Sequence, residues 1–253
     1  MIHNALHRDP VPLDREKHRS LKVDRAAMSN YTPMTGLNSY FINAVEFADA
    51  CRDYPIVFVR ASAAEAGKPL EVAPVAVFGL APGENLFLDG SGQWNASYIP
   101  AQLRAYPFAL ARVSDQQYNV CIDRSWQGLS DTADGPGTRL FEHDGQPSSY
   151  MEEMRKYLET LELELQRTRL FCARLVELGL LQDMRFDVTL PDGNKLTVDG
   201  FLSIEEKKLR ELPDAQVVDL HRNGLLALLH VQQASIRNMR RLIDRRLQRT
   251  ANA

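Results

Sequence analysis

The chain has 253 residues, of which 44% are hydrophobic and 25% are charged, and its formal net charge is −3. These proportions are typical of a folded globular protein and exclude disorder, collagen and a membrane bundle. No nucleic-acid partner is expected, because binding to a phosphate backbone requires a strongly basic surface. The longest apolar runs, at 72–82 and 225–231, fall short of the about twenty residues that span a bilayer, so no transmembrane segment is expected.

The cysteines and the N-terminal residues indicate the compartment. Cys51, Cys121 and Cys172 are odd in number and far apart, which is unlike a disulfide framework and favours reduced, buried thiols. The first twenty residues carry charges throughout and contain no apolar run of signal-peptide length. The expected location is therefore the cytoplasm by default, with surface association requiring an unconventional export route.

Residues 1–17 are expected to form an N-terminal arm, and residues 18–124 a mixed α and β part. Runs of β-branched and aromatic residues bounded by turn residues predict short strands there. The predicted strands are SLKVD, PIVFVRA, EVAPVAVFGL, NLFLDG, FALARV and YNVCID, and the predicted short helices are EFADACRDYP and SYIPAQLRAYP. The next segment, 125–148, is dense in Gly, Asp, Ser, Thr and Pro, which favours a loop or a linker.

The C-terminal part, 149–253, is predicted to be helical with one β-hairpin. Ser149 and Glu152 form a capping-box pattern, and no Gly or Pro follows until Gly179, which predicts a long helix over 149–178. Alternating apolar residues on both sides of Asp192-Gly193 predict a hairpin over 184–204. Three further helices are predicted, at 205–212, 214–222 and 225–249.

These elements together predict an α+β fold. A mixed, mainly antiparallel N-terminal sheet with short helices is expected to pack on the C-terminal helical layer and its hairpin. The parts are expected to form one continuous domain over 18–247.

No sequence pattern points to a cofactor, a metal or a catalytic residue. The glycine-containing segments lack the GxGxxG and GxxxxGK[ST] spacings, and no serine lies in a GxSxG elbow. The sequence contains no HExxH motif of a metal site. His143 in FEHDG lies between Glu142 and Asp144. These three residues either supply hard metal ligands or form a solvated turn.

The most unusual stretch, 79–108, is the candidate binding site. Asn85 and Asp89 can present oxygens, Trp94 and Tyr98 offer flat apolar area, and Arg104 follows near the end of the same predicted helix. The alternative is structural, with the two aromatic residues filling the core and Asn85 and Asp89 shaping turns. If Asp89 or Arg104 is enclosed, it should pair with its neighbours or with a ligand.

Two other features are candidate contacts. His18, in EKHRSL, is a candidate site residue approached from the N-terminal arm. The arginine-rich end, 237–249, either binds an anionic partner or complements the helix dipole and solvates an exposed face.

The sequence resembles the SapC family of bacterial proteins over about 230 residues, from His18 to Leu247. The residues that carry the resemblance are HRSLKV at 18–23, NAVEFADACRDYPIVF at 43–58, PVAVFGLAPGENLFLD at 74–89, W-x-A-x-Y-I-P-A-x-L-R-x-Y-P-F at 94–108, CID at 121–123, LFEHDGQPS at 140–148 and GFLSIEEKKLRELPD at 200–214.

The resemblance implies a non-enzymatic binding or accessory protein, associated with a surface layer or serving nutrient and peptide uptake. Members of this family are also often labelled as peptide-transport permeases. That label conflicts with the expected lack of a membrane span. Genes of similar proteins lie near TonB-dependent receptors and flavin-dependent halogenase-like proteins. The alternative is an enzyme, or an enzyme's partner, that uses Asp89, Arg104 and His18 on an amino-acid-like or peptide substrate. The expected partner is a protein, a peptide or a small molecule. Assembly into a homo-oligomer is a further alternative.

Overall fold

The computed structural model describes residues 2–61, 70–114, 117–132, 135–189 and 195–251. Within them the chain divides into two compact units, each built from several chain segments. Unit 1 comprises Met1–Gly36, Leu88–Asn95 and Ala101–Leu163, and unit 2 comprises Leu37–Phe87, Ala96–Pro100 and Glu164–Ala253.

Short strands dominate the first 140 residues, and helices dominate the rest. The strands are β1 Pro10–Pro12, β2 Lys22–Val23, β3 Ser39–Phe41, β4 Ile56–Arg60, β5 Val72–Val77, β6 Phe108–Arg112, β7 Tyr118–Asp123, β8 Leu129–Ser130, β9 Thr138–Arg139, β10 Leu181–Thr189 and β11 Lys195–Ile204. The α-helices are α1 Phe47–Ala50, α2 Ala101–Ala105, α3 Ser149–Glu177, α4 Glu206–Arg210, α5 Asp214–Arg222, α6 Leu225–Ser235 and α7 Asn238–Ala251. All strand pairings among the described residues are antiparallel, and the predicted α+β class is confirmed.

Unit 1 contains two three-stranded sheets, with the orders β1-β7-β6 and β8-β2-β9. Strand β1 contains two prolines and lies at a sheet edge, where the missing N–H groups leave no gap in the ladder. Strands β8 and β9 both come from the 125–148 segment and pair with the two residues of β2. The turn-rich segment therefore completes a sheet.

A buried carboxylate holds the N-terminal segment against β7. Asp123 is fully buried, and its two oxygens accept the backbone N–H groups of Arg8 and Asp9, both at 3.0 Å. Leu6 is buried beside this segment. Residues 6–12 are thus part of the packed unit, because hydrogen bonds and apolar burial both fix them.

Unit 2 contains one five-stranded sheet with the order β10-β11-β4-β5-β3. The predicted hairpin is the β10–β11 pair, and it joins the sheet where Leu202 lies opposite Phe58 of β4. The turn predicted at Asp192-Gly193 lies outside the described residues. The hairpin is therefore an extension of the sheet that begins in the N-terminal half.

Helices α3 and α6 cover this sheet. Helix α6 packs against β4, β11 and α1. The buried ring of Phe171, on α3, lies 5.9 Å from that of Phe47 and 6.3 Å from that of Phe58. The predicted apolar stripe of α3 thus supplies core contacts, with Leu165 and Leu175 also buried.

The single helix predicted over 225–249 is wrong, because α6 ends at Ser235 and α7 begins at Asn238. The Ser235 hydroxyl accepts the N–H of Ile56 at 3.0 Å, and the Asn238 amide donates to the carbonyls of Cys51 and Tyr54. These bonds satisfy backbone groups on distant segments and locate the break, although the sequence there has neither Gly nor Pro.

The strand predicted at NLFLDG is also wrong, because residues 85–90 form turns with one isolated bridge between Leu88 and Trp94. Arginines of α7 hold the start of this segment within unit 2. The contacts are Arg245 over the ring of Phe87 at 4.4 Å, Arg246 with Glu84 at 3.5 Å, and Arg249 donating to the carbonyl of Asn85 at 2.8 Å.

Candidate functional site

The candidate site of unit 1 is a cluster of three aromatic side chains around one arginine, which we call the Arg104 cluster: Tyr31, Trp94, Arg104 and Tyr157. The Arg104 guanidinium lies 6.0 Å from the centre of the Tyr157 ring. The rings of Tyr31 and Trp94 meet edge to face at 5.7 Å. Trp94 is buried, Tyr31 and Tyr157 are half-buried, and Arg104 is exposed. The cluster therefore presents a cation to solvent on an aromatic base.

Two turns hold the aromatic side of this cluster. The N–H of Tyr31 donates to the carbonyl of Gly92 at 2.9 Å. Gly92 has a φ of 80°, and a Cβ there would collide with the side chains of Asn30 and Thr32. Only glycine fits this close approach without strain. The turn thereby places Trp94 against the Tyr31 ring.

Helices α2 and α3 hold the cationic side. Pro100 precedes α2, where its fixed φ suits a helix start, and the Tyr157 hydroxyl of α3 donates to the carbonyl of Ala101 at 2.9 Å. Because Arg104 lies one turn after Ala101, this bond fixes the end of α2 beside the Tyr157 ring.

The positive charge of Arg104 influences the pKa of the Tyr31 hydroxyl. Burial raises the pKa of the Tyr31 hydroxyl, and the positive charge of Arg104 opposes this increase. The hydroxyl thus stays protonated at neutral pH and acts as a hydrogen-bond donor or acceptor. The cluster combines planar cationic donors, a neutral hydroxyl and apolar ring faces, which suits a carboxylate next to an apolar group.

Asp89 belongs to unit 1 and shapes the turn before Trp94. Its carboxylate accepts the N–H groups of Ser91 and Gln93 and the hydroxyl of Ser91, at 2.7–3.0 Å. The Ser91 hydroxyl and these N–H groups lower the pKa of Asp89. Asp89 is exposed.

His18 shapes a second turn of unit 1, where its Nδ1 accepts the N–H of Asp14 at 3.0 Å. In unit 2, the Asn85 side-chain oxygen accepts the N–H of Phe87 at 3.0 Å. Also in unit 2, the Tyr98 hydroxyl donates to the buried carboxylate of Glu46 at 2.8 Å. The binding role of these residues stays a prediction. Asp89, Trp94, Arg104 and His18 belong to unit 1, whereas Asn85 and Tyr98 belong to unit 2.

The sequence analysis missed Tyr31 and Tyr157. Tyr157 lies seven residues after Tyr150, so the two share one face of α3 beside the apolar stripe, and that spacing was the available signal. Tyr31 lies in a segment of short turns, where no periodic pattern marks it.

The described ranges contain neither a group of side chains that could hold a metal ion nor a helix that could span a membrane. No three His, Cys, Asp or Glu side chains there are grouped so that they could hold a metal ion. No helix in the same ranges combines the length and the apolar character that a membrane span requires.

Comparison with models of protein families identifies a family for this chain. The family model described as SapC matches residues 13–242. No curated protein and no solved structure matches the chain.

Proposed function

The chain belongs to the SapC family, and from this premise we propose that it is a binding or accessory protein that recognises an anionic group through the Arg104 cluster. The ligand class is a peptide or a small molecule that carries a carboxylate next to an apolar group. The observation that carries the proposal is the exposed guanidinium of Arg104 on an aromatic base.

The shape of the Arg104 cluster supports recognition of a carboxylate. A guanidinium is planar, always charged and able to donate two parallel hydrogen bonds to one carboxylate. The Tyr157 ring restricts the freedom of the Arg104 side chain, so less conformational entropy is lost when a ligand binds. The adjacent ring of Tyr31, half-buried against Trp94, offers apolar area for the rest of the ligand.

The bonds of Asp89 and His18 support binding over catalysis at this cluster. A general base must have its proton-accepting atom within reach of a substrate. Three donors bond to the Oδ1 atom of Asp89, and the Nδ1 atom of His18 accepts a backbone N–H. Both side chains stabilise turns through these atoms, which favours a structural role for them.

The test uses acetylated and amidated peptides, Asp-Pro-Pro-Asn with one charge and Asn-Pro-Pro-Asn with none. NMR titration of the wild-type protein should show tighter binding of the charged peptide, with shifts at Arg104 and Tyr157. Arg104→Gln should abolish this preference, whereas Arg169→Gln, an exposed arginine of α3 in unit 2, should keep it. Equal binding of the two peptides by the wild-type protein would contradict the proposal.

A surface-layer or uptake role is the setting that we propose for this binding activity. Cell fractionation should then recover the protein with the outer surface or with an uptake receptor. Turnover of amino acids or peptides by the protein and a halogenase-like partner, lost in Asp89→Ala, would instead favour the enzyme.

A further inference from the structure

A second arginine of unit 1, Arg25, lies over a second tyrosine of helix α3, Tyr150. The Arg25 guanidinium is 5.2 Å from the centre of the Tyr150 ring, and Arg25 is exposed. The Tyr150 hydroxyl donates to the sulfur of Met28 at 3.2 Å, and its ring meets that of Phe108 edge to face at 6.2 Å. Tyr150 is thus a fixed platform for the cation, as Tyr157 is for Arg104.

The two platforms share one face of α3. Tyr150 and Tyr157 are seven residues apart, which is about two helical turns and about 10 Å along the axis. Met154 lies between them on this face and is half-buried. This face of α3 therefore carries both tyrosine rings, with the apolar side chain of Met154 between them.

The electrostatics of the two ends are alike. Burial raises the pKa of the Tyr150 hydroxyl, and the charge of Arg25 opposes this increase, which is the pattern seen at Tyr31 with Arg104. Within the described parts of the chain, Arg25 forms no ion pair with a carboxylate. An anionic ligand would supply that partner.

We propose that Arg25 and Arg104 are two ends of one binding surface, and that its ligand is an extended acidic peptide whose two carboxylates are spaced like the two tyrosines, about 10 Å apart along the helix axis. This inference rests on the function proposed for Arg104 and adds the class of its ligand. A single carboxylate at a solvent-exposed arginine binds weakly, and a second one on the same rigid ligand adds affinity without a second loss of translational freedom.

The test uses a ligand with a defined distance between its charges. Proline-rich peptides adopt the polyproline II helix, in which residues three apart share a face and lie about 9 Å from each other. Acetylated and amidated Asp-Pro-Pro-Asp should bind the wild-type protein about tenfold more tightly than Asp-Pro-Pro-Asn, which is the effect of one charge-assisted contact. Pro-Asp-Asp-Pro has the same net charge with adjacent carboxylates and should lose most of this gain.

The variants Arg25→Gln, Arg104→Gln and Arg169→Gln separate the possible outcomes. Arg25→Gln should reduce binding of Asp-Pro-Pro-Asp to the level of the one-charge peptide, and Arg169→Gln should leave it unchanged. Binding that depends on Arg104 but gains nothing from the second carboxylate or from Arg25 would overturn this inference and leave the proposed function standing. Binding that is independent of Arg104 would overturn both.

Two comparisons between ligands identify which property of the ligand the surface recognises. Equal affinity for Asp-Pro-Pro-Asp and Pro-Asp-Asp-Pro would reduce the effect to net charge and overturn the spacing. Sebacate, a flexible dicarboxylate without a peptide backbone, should bind more weakly than Asp-Pro-Pro-Asp, and tighter binding of sebacate would overturn the assignment to a peptide.

Discussion

Replacing Asp123 by Asn should detach the N-terminal segment from unit 1. The Asp123 carboxylate is fully buried and accepts five hydrogen bonds. One oxygen accepts the N–H of Asp9 and both the N–H and the hydroxyl of Ser125, and the other accepts the N–H of Arg8 and the hydroxyl of Tyr106. Asn keeps the shape of the side chain but replaces one acceptor by a donor.

The magnitude follows from the bonds that Asn cannot keep. If the Asn oxygen keeps the three bonds to Asp9 and Ser125, its NH₂ group faces the N–H of Arg8. Both groups are donors, so the hydrogen bond from Arg8 is lost. A hydrogen bond to a charged group contributes about 1.5–3 kcal/mol, and a buried unsatisfied donor costs about 1–3 kcal/mol. We therefore expect Asp123→Asn to lower the free energy of unfolding of unit 1 by about 3 kcal/mol.

Urea unfolding and native-state hydrogen exchange measure this effect. Amide protection at residues 6–13 should decrease by about two powers of ten, because about 3 kcal/mol corresponds to that ratio. Asp89→Asn is the matched control, since Asp89 also accepts three donors but is exposed, and its change should be much smaller. Unchanged protection at residues 6–13 in Asp123→Asn would refute the reasoning.

The same carboxylate predicts a dependence on pH. Burial alone raises the pKa of Asp123, but the bonds from Ser125, Arg8 and Asp9 outweigh it and leave the pKa below its usual value. Because the folded pKa is below the unfolded value of about 3.9, the ionised form stabilises the fold above about pH 4. This stabilisation is lost as the pH falls through the folded pKa, so residues 6–13 of the wild-type protein should lose protection on acidification.

The remaining predictions concern a turn, the thiols and the C-terminal helix. Gly92→Ala should destabilise unit 1 by about 2 kcal/mol, because the positive φ strains any other residue, and it should displace Tyr31 and weaken peptide binding. In the native protein at pH 8, iodoacetamide should label the half-buried Cys51 well before Cys172, whose burial raises the pKa of its thiol to about 12, with mass spectrometry as the readout. Leu242→Ala should cost about 2–5 kcal/mol, because Leu242 is fully buried, and a change under about 1 kcal/mol in urea unfolding would contradict that placement of α7.

The sequence by itself determined the elements whose signals are local. The apolar stripe and the glycine at 179 predicted a helix over 149–178, and α3 spans Ser149–Glu177 with Gly179 at a φ of 63°. The predicted cap at Ser149 is wrong by one residue, because the hydroxyl of Ser148 accepts the N–H of Met151 at 3.2 Å. The strand predicted from YNVCID coincides with β7, Tyr118–Asp123. These features depend on residues within one or two turns of each other, so propensity and periodicity were sufficient.

The tertiary structure alone decided which segments meet. An apolar stripe shows that a face is covered but not by which segment, so the pairing of β11 with β4 and the placement of β1 against β7 had no local signal. The break before α7 depends on an amide that bonds to the distant carbonyl of Tyr54. The Arg104 cluster also depends on segments that are far apart in the chain. The free energy of a long-range contact depends on both partners, so the local sequence around one partner does not predict it.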